Sequence, residues 1–163
     1  MPPRPRLLIS GTIKISSFRE GDQISKQYTC EGEDISPAIS WSGFPPETKS
    51  YAIIMDDPDA PMGTFVHWVV YDIPSTITEI KENFPKIPVS ENGIRQGKND
   101  FGKFSYGGPC PPGQKPHRYI FHLYSTSSDT TLPAGMNKKK LLLALEGRIL
   151  EEKTFTLSYK RSR

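Results

Sequence analysis

The sequence has no apolar run long enough to cross a bilayer, which takes about 18 or more consecutive apolar residues. It also lacks a strongly basic character, because the formal net charge is only +3 and the cations are spread along the chain, apart from the run Lys138–Lys140. We therefore expect neither an integral membrane protein nor a nucleic-acid-binding protein.

Cysteine is equally scarce. Cys30 and Cys110 are too far apart for the short ligand spacing of a zinc site. In a reducing compartment two free thiols are the common outcome, and a disulfide between two loops is the alternative. Residues 1–10 lack the apolar stretch of roughly 7–15 residues and the small-residue cleavage site of a secretory signal, so we expect a cytoplasmic protein.

Glycine and proline, by contrast, are abundant, with 13 and 16 residues spread along the whole chain. This spread indicates many turns between short strands, as in a β-sandwich or barrel. We find no internal repeat, low-complexity tract or linker, and the length is typical of one domain. The sequence therefore predicts a single domain over residues 1–163.

Strand patterns alternate with loops along most of the chain. Apolar, aromatic or β-branched runs occur at 12–18, 39–41, 51–55, 65–71 and 119–124, and an alternating pattern closes the sequence at Phe155, Leu157 and Tyr159. Residues 74–113 are predicted to be dominated by loops. Because helices do not alternate with strands, a parallel α/β sheet is disfavoured.

One late α-helix is predicted. Asn137 can cap its N-terminus, and the helix should end near Glu152. An apolar stripe at helical spacing is formed by Leu141, Leu142, Leu145 and Ile149. The predicted fold class is mainly β, with antiparallel strands packed as a sandwich, one late α-helix and long Pro/Gly-rich loops.

Two acids and two histidines lie next to rigid loops. Asp57 and Asp59 follow a strand within an Asp-Pro-Asp-Ala-Pro segment that proline stiffens. His67 lies on the next strand, where simple alternation places it on one face with Phe65, Val69 and Tyr71. His117 begins a later strand after a glycine-rich passage, 107–113, whose backbone N–H groups we expect to point into a cavity. His122 is interpreted as a packed side chain without polar neighbours.

These residues also carry a resemblance to a known family. The sequence resembles the phosphatidylethanolamine-binding protein family, specifically its bacterial branch often labelled Raf-kinase-inhibitor-like. The matching segments are Asp57-Pro58-Asp59-Ala60-Pro61, His67-Trp68-Val69-Val70, Tyr106-Gly107-Gly108-Pro109 with Cys110-Pro111-Pro112, and His117-Arg118-Tyr119. The resemblance runs from about Gly21 to Tyr159.

The resemblance implies a two-sheet β-sandwich with a small pocket for phosphate, phosphoethanolamine or a related phospholipid head group. It places Asp57, Asp59, His67, His117 and Tyr119 in the pocket walls, with Gly108 and Pro109 beside them. Our first hypothesis is therefore a non-enzymatic binding protein without a cofactor, for which a kinase or another protein is a candidate partner and a homodimer is a candidate assembly. The loop from Pro61 to Phe65 is shorter than in mammalian members, so their partner-binding surface does not carry over.

The physical chemistry of these side chains is compatible with that pocket. Imidazole nitrogens and backbone N–H groups donate to phosphate oxygens, most strongly when the imidazoles are charged. The carboxylates of Asp57 and Asp59 are expected to raise the pKa of a neighbouring histidine. They also offer acceptors to an ammonium group, so a zwitterionic ligand suits the site.

Three alternatives stay open. Two aspartates and two histidines can ligate a metal, which would make the chain a metal-dependent enzyme. Cys110 and His117 can be combined as a nucleophile pair, although the proline-rich flanks give no helix N-terminus to lower the thiol pKa. Lys138–Lys140 can bind an anionic lipid surface.

Finally, Cys30 and Cys110 are expected to lie close together at the rim of the pocket.

Overall fold

The computed structural model describes residues 11–162, so the residues on which the cytoplasmic prediction rests lie outside it. In that part of the chain, the strands are β1 (Thr12–Ile15), β2 (Ile39–Ser42), β3 (Ser50–Asp57), β4 (Phe65–Pro74), β5 (Glu79–Ile80), β6 (Arg95–Gln96), β7 (His117–Thr126) and β8 (Ile149–Tyr159). A 3₁₀ turn spans Lys26–Tyr28, and the α-helix α1 spans Lys138–Ala144.

The strands form two antiparallel sheets. The small sheet has the order β1-β2-β5, and the large sheet has the order β6-β4-β3-β7-β8. β3 lies at the centre of the large sheet, between β4 and β7. The mainly β, two-sheet fold with one late helix is therefore confirmed.

The main core lies between the two sheets. The small sheet contributes buried residues such as Ile15, Ile39 and Trp41, and the large sheet contributes Met55 and Phe121. Alternation along the strands of the large sheet places a second apolar set on its outer face. This set, which comprises Ala52, Ile54, Val66, Val69, Tyr71 and Tyr124, packs against Leu141 of α1 and against Leu145, which caps its C-terminus.

The predicted strand positions are confirmed, but several boundaries differ. β3 and β7 are longer than predicted, and Asp57 and His117 are their end residues. β1 is shorter, because Ser16 adopts a left-handed φ of 50° that ends the extended backbone. The predicted loop region 74–113 contains two short strands, β5 and β6.

The predicted helix is correct at its start and wrong at its end. The side chain of Asn137 accepts a hydrogen bond from Lys140 N at 2.9 Å, which is the predicted cap. The helix ends at Ala144 instead of near Glu152, because Gly147 adopts a φ of +78° that reverses the chain. Ile149, assigned to the helical stripe from the sequence, is instead the first residue of β8.

Candidate functional site

Asp57 ends β3 and is only 3% exposed. Alternation along the strand places its side chain on the inner face of the large sheet, as for Ile53 and Met55. Oδ1 of Asp57 accepts a hydrogen bond from Asp59 N at 2.8 Å, which fixes the turn that follows the strand. Oδ2 is therefore the oxygen that is available to the interior.

His117, the first residue of β7, uses that oxygen. Its Nδ1 lies 2.6 Å from Oδ2 of Asp57, and both side chains are buried. A carboxylate only accepts hydrogen bonds, so the imidazole carries its proton on Nδ1. No residue within 11–162 forms a hydrogen bond with its Nε2, which is left available to a bound molecule.

A β-bulge brings His67 to the same face. Met55 pairs with Trp68 and Asp56 pairs with Val66, so His67 is an extra residue without a partner on β3. A bulge of this kind turns two consecutive side chains to one side of the sheet. The prediction that His67 shares a face with Val69 and Tyr71 is therefore wrong, since those two side chains lie on the outer face beneath α1.

The ring of His67 is held by the backbone. Its Nδ1 donates to the carbonyl oxygen of Gly107 at 2.6 Å, so this ring also carries its proton on Nδ1 when it is neutral. Burial lowers the pKa of His67 and outweighs the opposing effects of the Gly107 carbonyl and the Asp57 carboxylate. The Asp57 carboxylate thus acts on His67 in the expected direction, but burial decides the net shift in pKa, and His67 is neutral near pH 7.

Tyr119 lies between the two histidines. Its ring centroid is 5.3 Å from that of His67 and 6.4 Å from that of His117, and the residue is fully buried. Burial, and then the nearby charge of Asp57, raise the pKa of its hydroxyl. No hydrogen bond of normal geometry reaches this hydroxyl within the described residues.

These side chains enclose a cavity of about 190 Å³ at the Asp57 end of the large sheet. Four predicted site residues, Asp57, His67, His117 and Tyr119, line it together. The remaining lining is apolar or aromatic, and comprises Ala60, Pro61, Phe65, Phe101, Cys110, Pro111 and Pro112.

Asp59, Gly108 and Pro109 lie outside this lining. Asp59 accepts hydrogen bonds from the backbone and guanidinium of Arg118, and this pairing lowers the pKa of Asp59 to about 2. Gly108 donates its N–H to Oδ1 of Asp34 at 2.8 Å, and Pro109 accepts from Cys30 N. Their direct contact with a ligand stays a prediction that the lining of this cavity does not support.

The glycine-rich passage also serves a different purpose from the predicted one. The N–H of Gly107 donates to the carbonyl oxygen of His67, and the N–H of Gly108 donates to Asp34. The prediction that these N–H groups point into the cavity is therefore wrong. A Cβ at Gly108 would lie 2.2 Å from the carbonyl oxygen of Tyr28. Glycine is required here for close packing of two backbone segments.

Phe101 is a pocket residue that lies outside every segment singled out for the site in the sequence. Its ring lies 4.8 Å from that of Phe65 and 5.4 Å from that of His67, and it is 44% exposed at the mouth of the cavity. Its backbone N–H donates to the side chain of Asn99, which fixes the loop. No motif marks Phe101 in the sequence, because its role depends on tertiary contacts alone.

The two cysteines form a disulfide, with Cα atoms 5.4 Å apart, which confirms their predicted proximity. Cys110 lines the cavity, so the bridge ties the proline-rich wall of the pocket to the loop at Cys30. The free-thiol interpretation is therefore wrong in this structure. The nucleophile pair of Cys110 and His117 is excluded as well, because a disulfide sulfur is not a thiolate.

His122 is not the apolar-packed residue that we predicted. On the outer face of the large sheet, its Nε2 lies 3.2 Å from Asp56 and its Nδ1 lies 2.9 Å from Glu152. Lys138 of α1 donates to the second oxygen of Asp56 at 2.7 Å. Although burial opposes the charge, the two carboxylates raise the pKa of His122. We call these four residues the outer cluster.

Residues 11–162 contain no group of three or more His, Cys, Asp or Glu side chains at metal-binding distances. The Nδ1 atoms of His67 and His117 are already bound to Gly107 and Asp57. None of the helices in the described part of the chain combines the length and the apolar character that a membrane span needs.

The fold is a two-sheet β-sandwich with a small cavity at one end of the large sheet, which is a binding-protein fold. The family model of the phosphatidylethanolamine-binding protein matches residues 14–160. The chain therefore belongs to the phosphatidylethanolamine-binding protein family.

Relatives occur among bacteria and archaea. A UPF0098 protein of Aquifex aeolicus is 52% identical over 147 residues, which cover 89% of this chain and 85% of the relative. The UPF0098 protein YbcL of Escherichia coli is 36% identical over 143 residues, covering 80% of this chain and 76% of YbcL. This similarity supports the predicted bacterial branch.

Two crystal structures show the same fold. CT736 of Chlamydia trachomatis, a proposed phosphatidylethanolamine-binding protein homolog, matches with a TM-score of 0.85 and 31% identity over 95% of this chain and all of CT736. YbcL of E. coli, described as a member of the mammalian family, matches with a TM-score of 0.83 and 31% identity over 93% of this chain and 99% of YbcL.

Proposed function

We propose that this chain is a non-enzymatic binding protein whose pocket takes phosphate, phosphoethanolamine or a related phospholipid head group. The observation that carries the proposal is the pair of buried histidines on one cavity, each anchored through Nδ1 and each leaving Nε2 free of partners within the described residues. Family membership and the binding-protein fold support it.

Protons on the free nitrogens would strengthen anion binding in this pocket. A neutral imidazole anchored through Nδ1–H presents only a lone pair at Nε2, whereas the imidazolium presents a donor. Charge-assisted hydrogen bonds to phosphate are roughly twice as strong as neutral ones. An imidazolium in the lining therefore offers a strong donor to an anion, and we expect anion affinity to fall as the pH rises.

The size of the cavity supports a head group as ligand. At about 30 Å³ for each water molecule, a volume of 190 Å³ holds roughly six waters. A phosphate with a short substituent fits this volume, whereas a whole phospholipid does not. The acyl chains of a lipid ligand would have to remain outside the mouth near Phe101.

The metal-dependent enzyme is the competing proposal. Its sequence basis was the combination of two aspartates and two histidines, but Asp59 is paired with Arg118 outside the cavity lining. Elemental analysis of the purified protein separates the two proposals, because a stoichiometric bound metal would favour the enzyme.

Partner and compartment belong to the same proposal. Modulation of a kinase or another protein, and a homodimer, stay predictions, and sedimentation analysis tests the dimer. The cytoplasmic location has to be reconciled with the disulfide, because such bridges persist mainly in oxidising compartments or in the cytoplasm of hyperthermophiles. Thiol counting after rapid alkylation of cells expressing the protein tests its redox state there.

Sulfate is a suitable probe of the anion site, because it keeps its charge between pH 5.5 and 8.5. We expect His117→Ala and His67→Ala each to weaken sulfate binding at pH 5.5 by tenfold or more in calorimetric titration, because a charge-assisted hydrogen bond contributes about 1.5–3 kcal/mol. His122→Gln is the matched control, since this histidine lies on the opposite face of the sheet. Unchanged affinity in both pocket variants would contradict the proposal.

A further inference from the structure

Among the described residues that line the cavity there is no lysine or arginine. Two guanidinium groups contact residues in or next to the lining and are already engaged, because Arg118 pairs with Asp59 and Arg161 donates to the carbonyl oxygen of Pro111. When the histidines are neutral, Asp57 is therefore the one charged side chain in the described lining. In that state the cavity has a negative formal charge, which disfavours an anion.

The hydrogen bonds of the neutral histidines also disfavour an anion. Because Nδ1 of each ring is committed to an acceptor, the neutral rings of His67 and His117 offer lone pairs at Nε2. Asp57 adds carboxylate oxygens. With neutral histidines the described lining therefore has more acceptors than donors, since the hydroxyl of Tyr119 is its one side-chain donor, and this favours a ligand that supplies donors.

Aromatic rings complete this environment. The ring centroids of three side chains, Phe65, His67 and Phe101, lie within 5.4 Å of one another. The rings of His67 and Tyr119 meet at an interplanar angle of 82°. Ring faces attract a cation that lies within about 6 Å of the ring centroid. Aromatic walls beside a buried carboxylate are the environment in which proteins hold ammonium groups.

We propose that this pocket receives a small ammonium group against Asp57 and the aromatic rings when both histidines are neutral, and exchanges it for an anion when they are protonated. The inference rests on the proposed function, because it concerns the same cavity. It adds amines that carry no phosphate group to the proposed ligands, and it makes the proton the switch between an amine and an anion.

The titratable groups around the histidines are compatible with such a switch. His67 faces Asp57 of β3 and, at longer range, Asp34 of the loop before β2. His117 faces its hydrogen-bond partner Asp57 and lies near Asp59, which is paired with Arg118. The remaining neighbours, the hydroxyls of Tyr119 and of Tyr159 on β8, have raised pKa values and stay neutral over the working range.

Ethylammonium and sulfate test the switch, because each keeps its charge from pH 5.5 to 8.5. We expect ethylammonium to bind at least tenfold more tightly at pH 8.5 than at pH 5.5, and sulfate to show the reverse dependence, in calorimetric titrations of the intact chain. Phe101→Leu should weaken ethylammonium binding at pH 8.5 threefold or more, and by a larger factor than it weakens sulfate binding at pH 5.5. Phe104→Leu is the matched control, because Phe104 is 41% exposed but lies outside the cavity lining.

The outcomes distinguish this inference from the proposed function. Sulfate binding at pH 5.5 without ethylammonium binding at either pH would overturn the ammonium site and leave the anion pocket standing. Ethylammonium binding that is independent of pH, or equally weakened by Phe101→Leu and Phe104→Leu, would also overturn it. If neither probe binds, both proposals fail.

Discussion

Two aspartate–histidine pairs lie back to back across the large sheet. Asp57 pairs with His117 on the inner face, and Asp56, its neighbour on β3, pairs with His122 on the outer face. Successive side chains of a strand point to opposite sides, so one short segment of β3 supplies both pairs. Both pairs consist of an aspartate and a histidine, but the surroundings of the second nitrogen of the histidine ring differ between them.

That difference separates a binding site from a structural contact. Both nitrogens of His122 lie within hydrogen-bond distance of carboxylates, and Lys138 also holds Asp56, so the outer cluster is internally satisfied. Nδ1 of His117 is hydrogen-bonded to Asp57, and its Nε2 has no hydrogen-bond partner among the described residues. We expect variants of the outer cluster to affect stability, and variants of the pocket to affect ligand binding.

The largest effect is expected from the disulfide, which belongs to the pocket side. A double variant, Cys30→Ser with Cys110→Ser, should lower the free energy of unfolding by on the order of 4 kcal/mol in the chain-entropy model. Urea denaturation of the oxidised protein and of the variant measures this loss. A dithiol reductant should destabilise the parent protein and leave the variant unchanged. Equal stability of the parent and the variant would show that local hydrogen bonds suffice to hold the wall.

The next effect is expected in the outer cluster. Asp56→Ala removes the shared partner of His122 and Lys138, and should cost about 3 kcal/mol, at the low end for a broken buried pair because both cations keep some contact with water. Denaturant unfolding measures the loss, and sulfate titration should show an unchanged pocket. The matched control is Asp59→Asn, whose partner Arg118 is exposed, and it should lose much less.

The comparison also shows what the sequence alone could reveal about the site. Asp57, His67, His117 and Tyr119 were predicted as pocket residues, because they lie in distinctive motifs at or near strand ends, and they line one cavity. Phe101 was missed because it is recognisable only by its contacts. The contacts of the outer cluster were missed for the same reason.

The errors have specific physical causes. The face of His67 was wrong because a bulge shifts the register against β3, and register depends on the partner strand. His122 was misjudged because Asp56, Glu152 and Lys138 come from three other elements. The helix was extended too far because its apolar periodicity continues past Gly147, where the backbone turns.

A smaller effect is expected where α1 meets the outer cluster. Asn137→Ala removes the cap from Lys140 N and should cost about 1 kcal/mol in the free energy of unfolding. If the cap positions Lys138 on Asp56, the double variant with Asp56→Ala will lose less than the sum of the two single losses. Strict additivity in urea denaturation would show that α1 and the ion pair act independently.

The smallest effect concerns pH, and its sign is what distinguishes the two faces. Although burial opposes the charge, the carboxylates raise the pKa of His122 in the folded state. The contribution of His122 to stability is therefore complete below its unfolded pKa of about 6.5, and it is lost as the pH rises through the folded pKa. Burial lowers the pKa of His67, so that residue destabilises the fold as the pH falls below about 6.5. We therefore expect His122→Gln to cost more stability at pH 5.5 than at pH 8.5, and His67→Gln to cost less at pH 5.5 than at pH 8.5. Urea denaturation of both variants and the parent at the two pH values measures these differences, and slopes of the same sign would refute the contrast between an internally satisfied cluster and an open pocket.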